Sequence, residues 1–263
     1  MTRVPTFIVV MFTITLFLFW ISPGFCRDIR VPVDSYPPFH IFPPDGGPPY
    51  GETIAVIRAV VARVNQNAAD DLSLNYTRDT PFKRCLALMR SGRADLIGSL
   101  LDKEDRRDYM ILLKYKANSN KVFIQRRNDS RPIHQFDDLK GLTVGTVLGY
   151  QYFSAFDTSE SIVKDPARNL SLSLAKLEAG RCDVVICTQS EWLSLNRNPM
   201  IQARFRQSQF RYEQPNPVYL GISRKSWLAE KPYIDVFRNT VSDMFQSGEF
   251  IRVISRFYES YTP

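Results

Sequence analysis

Strand and helix patterns alternate along this chain in two separate blocks, and few folds accommodate that arrangement. Ile29 to Val33 alternates apolar and polar residues and runs into Tyr36-Pro37-Pro38-Phe39, where the prolines stop the strand. A loop rich in proline and glycine, 42–49, precedes Gly51-Glu52-Thr53, which opens a helix with Ile54, Ile57, Val60, Val61 and Val64 on one face. A strand at 72–76, a helix at 81–91 and a strand at 96–100 complete the first block. Alternation of this kind predicts mostly parallel strands covered by helices, with a ligand crevice at the carboxyl ends of the strands.

The pattern then changes to an extended passage, 109–125. A second block follows: a short helix at 136–140, a strand at 142–147, a helix beginning near Gly149-Tyr150, a helix at 170–179 with Leu170, Leu174 and Leu177 inward, a strand at 183–187 and a helix at 190–195. Residues 205–223 are again extended, and 233–257 supply one or two amphipathic helices. Two extended passages predict two crossings between lobes. Residues 27–115 and 218–263 then form a discontinuous first lobe, 116–217 form the second, and the crossings act as a two-strand hinge with the cleft between the lobes. A chain of two consecutive domains with a single linker is the alternative.

Ahead of these blocks stand one basic residue, Arg3, and an apolar run, 7–21, followed by Ser22-Pro23-Gly24. The run is shorter than the ~20 residues that span a bilayer, so residues 1–26 read as a secretory signal peptide cleaved after Cys26, which places the protein in the periplasm. The net charge of +7 is spread along the chain, without the basic stripe and interleaved aromatics of a nucleic-acid binder. Cys182 and Cys187 fall on opposite faces of one predicted strand, and Cys85 belongs to the other lobe, so three free thiols are expected in the mature chain.

Several short phrases then occur in a telling order: Tyr36-Pro37-Pro38-Phe39 after the first strand, Ser91-Gly92-Arg93-Ala94-Asp95 closing a helix, and Asp102-Lys103-Glu104-Asp105-Arg106-Arg107 after a strand. Asp138-Leu139-Lys140-Gly141-Leu142-Thr143-Val144-Gly145 and Leu177-Glu178-Ala179-Gly180-Arg181-Cys182-Asp183 continue the series. Together they resemble the bacterial extracellular solute-binding family 3, the periplasmic substrate-binding proteins of polar amino-acid ABC transporters, over essentially the whole mature chain. The resemblance implies a periplasmic-binding-protein-like fold of type II: two α/β lobes that close around a small solute and hand it to a membrane permease. It implies no cofactor and no metal, and a monomer.

It also implies roles for particular residues. Tyr36 and Phe39 stand where the family places an aromatic over the ligand. Arg106 or Arg107 matches the arginine whose planar fork clamps a ligand carboxylate, and the register leaves both open. Ser99 lies where the family offers a hydroxyl or backbone group to that carboxylate. Gly149 matches the glycine that opens a helix amino terminus toward the ligand. Tyr150 replaces the usual threonine. Thr188 stands where amino-acid binders carry an aspartate for the α-ammonium, so a standard zwitterionic amino acid is disfavoured unless Glu191 or another acid reaches in.

Two other classes compete with uptake. A dehydratase-like enzyme could use the same cleft, but His40 and His134 have no metal-ligand spacing and no nucleophile motif is present. A sensor could use the same closure to signal to a membrane partner, without any transporter.

Overall fold

The structure, a computed structural model, describes residues 27–67, 71–213 and 215–261; the expected signal segment and Cys26 lie outside them. Strand β1 (Arg27–Val31) pairs in parallel with β2 (Leu72–Tyr76), Ile29 opposite Leu74. Helix α1 (Glu52–Asn67) connects them and buries Ile54, Ile57, Val60, Val61 and Val64, as the 3.6-residue spacing requires. Each such side chain contributes roughly 1.5–3 kcal/mol relative to exposure. Helix α2 (Phe82–Ser91) ends at Gly92, whose left-handed conformation lets the Gly92 and Arg93 N–H groups reach the Met89 and Leu88 carbonyls. Strand β3 (Leu96–Leu101), the four-residue helix α3 (Glu104–Arg107) and β4 (Met110–Lys116) follow.

The chain then crosses to the second lobe. It contains β5 (Lys121–Arg126), β6 (Thr143–Val147), α4 (Ser154–Asp157), β7 (Val163–Ala167), α5 (Leu170–Glu178), β8 (Val184–Thr188), α6 (Gln189–Leu195), α7 (Pro199–Arg204) and β9 (Phe205–Tyr212). Its five-stranded sheet has the order β7-β6-β8-β5-β9. Alternate residues of β5 and β8 feed two separate cores. Phe123, Val184 and Ile186 pack on one face, and Val122, Ile124, Val185 and Cys187 on the other. The chain returns as β10 (Val218–Ser223), then α8 (Tyr233–Gln246) and α9 (Glu249–Ser260), which pack against α1.

Three sequence expectations need correction. The strands of the first lobe are not mostly parallel. Strand β10 enters from the crossing without a crossover helix and inserts between β3 and β4, antiparallel to both. Likewise β5 and β9 are antiparallel to their neighbours, leaving only β7-β6-β8 parallel in the second sheet. The helix expected near Gly149-Tyr150 starts only at Ser154; Gly149, at φ +85°, makes a turn instead. Cys182 lies before β8 and folds into the same core as Cys187, so the two thiols do not face opposite ways. All three described cysteines are free and buried.

Most of the resemblance phrases serve this architecture. Asp95 accepts hydrogen bonds from the Arg30 backbone and guanidinium and from Ser226, tying β1 and the chain after β10 to the start of β3. Asp138 accepts from the His134 and Gln135 N–H groups, and Asp183 from that of Thr143. Only the phrases around Tyr36 and Arg106 reach the space between the lobes.

Candidate functional site: the cleft between the lobes

On the first lobe, the segment after β1 folds back on itself: the Phe39 and His40 N–H groups both donate to the Tyr36 carbonyl, 2.8 and 2.9 Å. This turn sets the Tyr36 and Phe39 rings 4.7 Å apart at the mouth of the cleft, Phe39 almost wholly buried. Nearby, Ser99 ends the regular part of β3 in a left-handed conformation, φ +56°, a strain of order 1–3 kcal/mol for a residue with a side chain. That geometry brings Ser99 Oγ within 2.6 Å of Thr53 Oγ1 at the start of α1.

Adjacent residues on a helix point about 100° apart, so α3 can turn only one of its two arginines inward. Arg106 is that residue, only 3% exposed. Its Nη1 donates to the Leu101 carbonyl at 2.8 Å and its Nη2 to the Gly149 carbonyl of the second lobe at 3.3 Å. Burial pulls its pKa below the ordinary value, and the surrounding Tyr109, Asp105, Asp157 and Asp102 oppose that. Arg107 points outward with its side chain 62% exposed and is held by Asp102. It is removed from the candidate ligand set.

From the second lobe, Tyr150 enters the first. Its ring sits edge-on between Tyr36 and Phe82, with centroids 4.9 Å from each. Its hydroxyl donates to Asp34 Oδ2 at 3.0 Å, while Asp34 Oδ1 is 3.1 Å from His40 Nδ1. Gly149 does not offer a helix amino terminus. It presents its carbonyl to Arg106, because the turn there delays the helix to Ser154. Thr188 is the N-cap of α6 and forms a capping box with Glu191: the Thr188 hydroxyl accepts from the Glu191 N–H, and the Glu191 carboxylate accepts from the Thr188 N–H and hydroxyl at 2.7 and 2.9 Å. Tyr36 Oη donates to the same carboxylate at 3.4 Å. Burial pushes Glu191 up to about 7, against the pull of these hydrogen bonds.

Two small cavities remain in the closed cleft. One, about 20 Å³, is lined by Asp34, Tyr36, Ser99, Arg106, Tyr150 and Gln151 among others. The second, about 30 Å³, shares Tyr36, Ser99 and Leu101 with the first and adds Phe39, Lys116 and Lys121. A broader groove of about 750 Å³ lies between the proline-rich loop and β2, but none of the buried charged side chains lines it, so we place the site in the cleft. The sequence reading brings Tyr36, Phe39, Ser99, Arg106, Tyr150 and Thr188 to this region. It missed Asp34, His40, Phe82, Gln151 and Lys121, which carry no motif. Glu191 was legible as the fourth residue of a Thr-x-x-Glu capping box.

Among the described residues no group of His, Cys, Asp and Glu could hold a metal ion, and no helix is long and apolar enough to cross a membrane. No family model and no curated protein matches this sequence. Solved structures do. An arginine third transport system periplasmic binding protein from Legionella pneumophila superposes with a TM-score of 0.70 at 14% identity, over 88% of this chain and 99% of that one. The fold is that of the periplasmic binding proteins. A histidine kinase sensor domain with similarity to periplasmic binding proteins matches as well, TM-score 0.70 at 16% identity over 88% and 96%. The periplasmic VFT2 domain of BvgS from Bordetella pertussis gives 0.67 at 21% identity over 90% and 95%. Chains with this periplasmic-binding-protein fold thus include both transport proteins and sensor domains.

Proposed function

We propose that the protein is an exported solute-binding protein, released by cleavage of its leader after Cys26, that closes around a small carboxylate-bearing solute for ABC-type uptake. The lobes, 27–115 with 218–263 and 116–217, close about crossings tied together by Asn216, which bonds Asn118, the Ser119 carbonyl and the Tyr152 carbonyl. The observation that carries the reading is Arg106. A guanidinium almost wholly buried in the cleft, hydrogen-bonded to carbonyl oxygens and lying over the Phe82 ring at 5.7 Å, is suited to a carboxylate arriving between the lobes. Gln151 supports the same end of the site: its amide oxygen is buried without a partner beside the Arg106 cavity, and the amide turned over offers N–H donors to an anion.

Common L-amino acids are poor ligands on this reading. Thr188 supplies no charge, and the Glu191 carboxylate is already engaged by the α6 cap. Sensing without a transporter is a second reading, favoured by the sensor-domain neighbour with the same fold.

Native mass spectrometry of freshly purified protein tests the proposal. The parent and the Arg107→Ala variant are expected to carry a small-molecule mass, and Arg106→Ala to have lost it, since truncating one partner of a buried charged contact costs roughly 2–5 kcal/mol. Equal retention by both variants would place the anionic group, if there is one, elsewhere.

A further inference from the structure

Buried charges in folded proteins are paired or bonded to opposite charge, because an isolated one costs several kcal/mol in a dry interior. Most buried charges here obey. Asp95 faces Arg30, and Glu52 faces Lys116 at 2.7 Å. Two cations do not, and both line the cleft. Arg106 bonds only carbonyl oxygens. Lys121, at the first position of β5 and only 2% exposed, donates to Ser119 Oγ at 2.7 Å and makes no ion pair with any described residue.

The two cations serve different cavities. Arg106 lines the cavity of about 20 Å³ and Lys121 the one of about 30 Å³. Since a water needs about 10–15 Å³ by this measure, each has room for one or two small polar groups, the size of a carboxylate head. Tyr36, Ser99 and Leu101 line both, so the cavities are neighbours along one cleft. Acids nearby act on Lys121 only at a distance: the charge of Glu191 favours its cation, but none of them makes an ion pair with it. Glu52 is taken by Lys116 and by the Tyr258 hydroxyl. Glu191 is turned into the α6 cap. The register puts Lys121 opposite Thr188 across the β5–β8 ladder, so a cation stands beside the position where amino-acid binders would hold an acid.

We propose that the solute is a short dianion, one carboxylate held by Arg106 and a second anionic group held by Lys121. The inference rests on the solute-binding reading and adds the charge and the polarity of the ligand. A zwitterion whose ammonium reached the Lys121 cavity would meet like charge from Lys121 and Lys116, with Glu52 as the one acid lining that cavity. A monocarboxylate leaves the Lys121 ammonium as it stands, with one hydroxyl partner.

Calorimetry on the full exported protein tests this with succinate, glutarate and adipate against butyrate, valerate and L-glutamine. At least one dicarboxylate is expected to bind on the order of thirtyfold or more tightly than the monocarboxylate of matched length. In Lys121→Met that ratio is expected to collapse toward one. The substitution replaces the buried cation by an apolar chain of similar length, and a thermal melt checks that the variant is folded. A dicarboxylate preference that survives in Lys121→Met overturns the role of Lys121. Binding of butyrate, valerate or L-glutamine as tight as that of any dicarboxylate overturns the dianion and leaves the solute-binding reading intact. Failure of all six probes overturns the dianion as well, and a bound mass that persists on native protein then keeps the broader reading separate from it.

Discussion

Glu191 and Lys121 face the same dry cleft, and burial acts on them in opposite directions. It raises the Glu191 carboxyl from 4.5 to about 7 and lowers the Lys121 ammonium from 10.5 to about 8. Their surroundings moderate this: hydrogen bonds from Thr188 and Tyr36 and the charge of Lys121 favour the Glu191 anion, and Glu191, Cys187 and Asp157 favour the Lys121 cation against Lys116. Folded Glu191 holds its proton to a higher pH than unfolded Glu191, so its contribution to stability is full below about 4.5 and is lost as pH rises through about 7. Folded Lys121 loses its proton earlier than unfolded Lys121, so its contribution is absent below about 8 and recovers as pH rises toward 10.5. The stability of the parent is therefore expected to dip between the two titrations. Urea unfolding across pH 4.5–10.5 checks this by difference: Glu191→Gln should remove the falling limb and Lys121→Met the rising one. Curves that run parallel to the parent would show that the two groups titrate alike in the folded and unfolded chains.

Helix α6 shows how one local motif sets the chemistry of the cleft. The Thr188-Gln189-Ser190-Glu191 spacing satisfies two otherwise orphan N–H groups and, in doing so, fixes the Glu191 carboxylate on the cap. Thr188→Ala is expected to cost about 1 kcal/mol in urea unfolding, within the 0.5–2 kcal/mol usual for a lost N-cap, while Thr188→Ser keeps both hydroxyl bonds and stays within a few tenths of the parent. Equal losses for the two variants would point to the Thr188 methyl instead of its hydroxyl. At this scale the sequence was informative where signals are local. The α1 apolar face, the Gly92 stop and the Thr188-x-x-Glu191 cap could all be read in advance. The start of α4 could not, since Gly149 reads as a helix opening while its positive φ turns the chain and delays the helix.

For the whole molecule, the closed arrangement depends on contacts that bring together residues far apart in the chain. Tyr150 reaches Asp34 across 116 residues and Tyr36 reaches Glu191 across 155. The Tyr150 ring makes two edge-on aromatic contacts, each worth about 0.5–1.5 kcal/mol, and its hydroxyl makes a hydrogen bond to a carboxylate worth about 1.5–3 kcal/mol. Together these amount to roughly 2.5–6 kcal/mol, against the ~5.5 kcal/mol that turns a 99:1 equilibrium into its inverse. Tyr150→Ala is accordingly expected to open the cleft, with a larger radius of gyration than the parent by small-angle scattering and no change in far-ultraviolet circular dichroism. An unchanged radius would show that the lobes are held by other contacts, such as those of Tyr261 with Ser194 and Arg197.

The sequence by itself determined the two α/β blocks and the bounds of the helices at Phe82–Ser91, Leu170–Glu178 and Gln189–Leu195, because apolar period, caps and proline stops act within a few residues. Only the tertiary structure decided that Arg106 and not Arg107 turns inward, that β10 returns antiparallel between β3 and β4, and that Lys121 is buried without an ion pair among the described residues. Each of these depends on which distant segment covers a residue, and burial by a segment dozens of positions away leaves no local period to read.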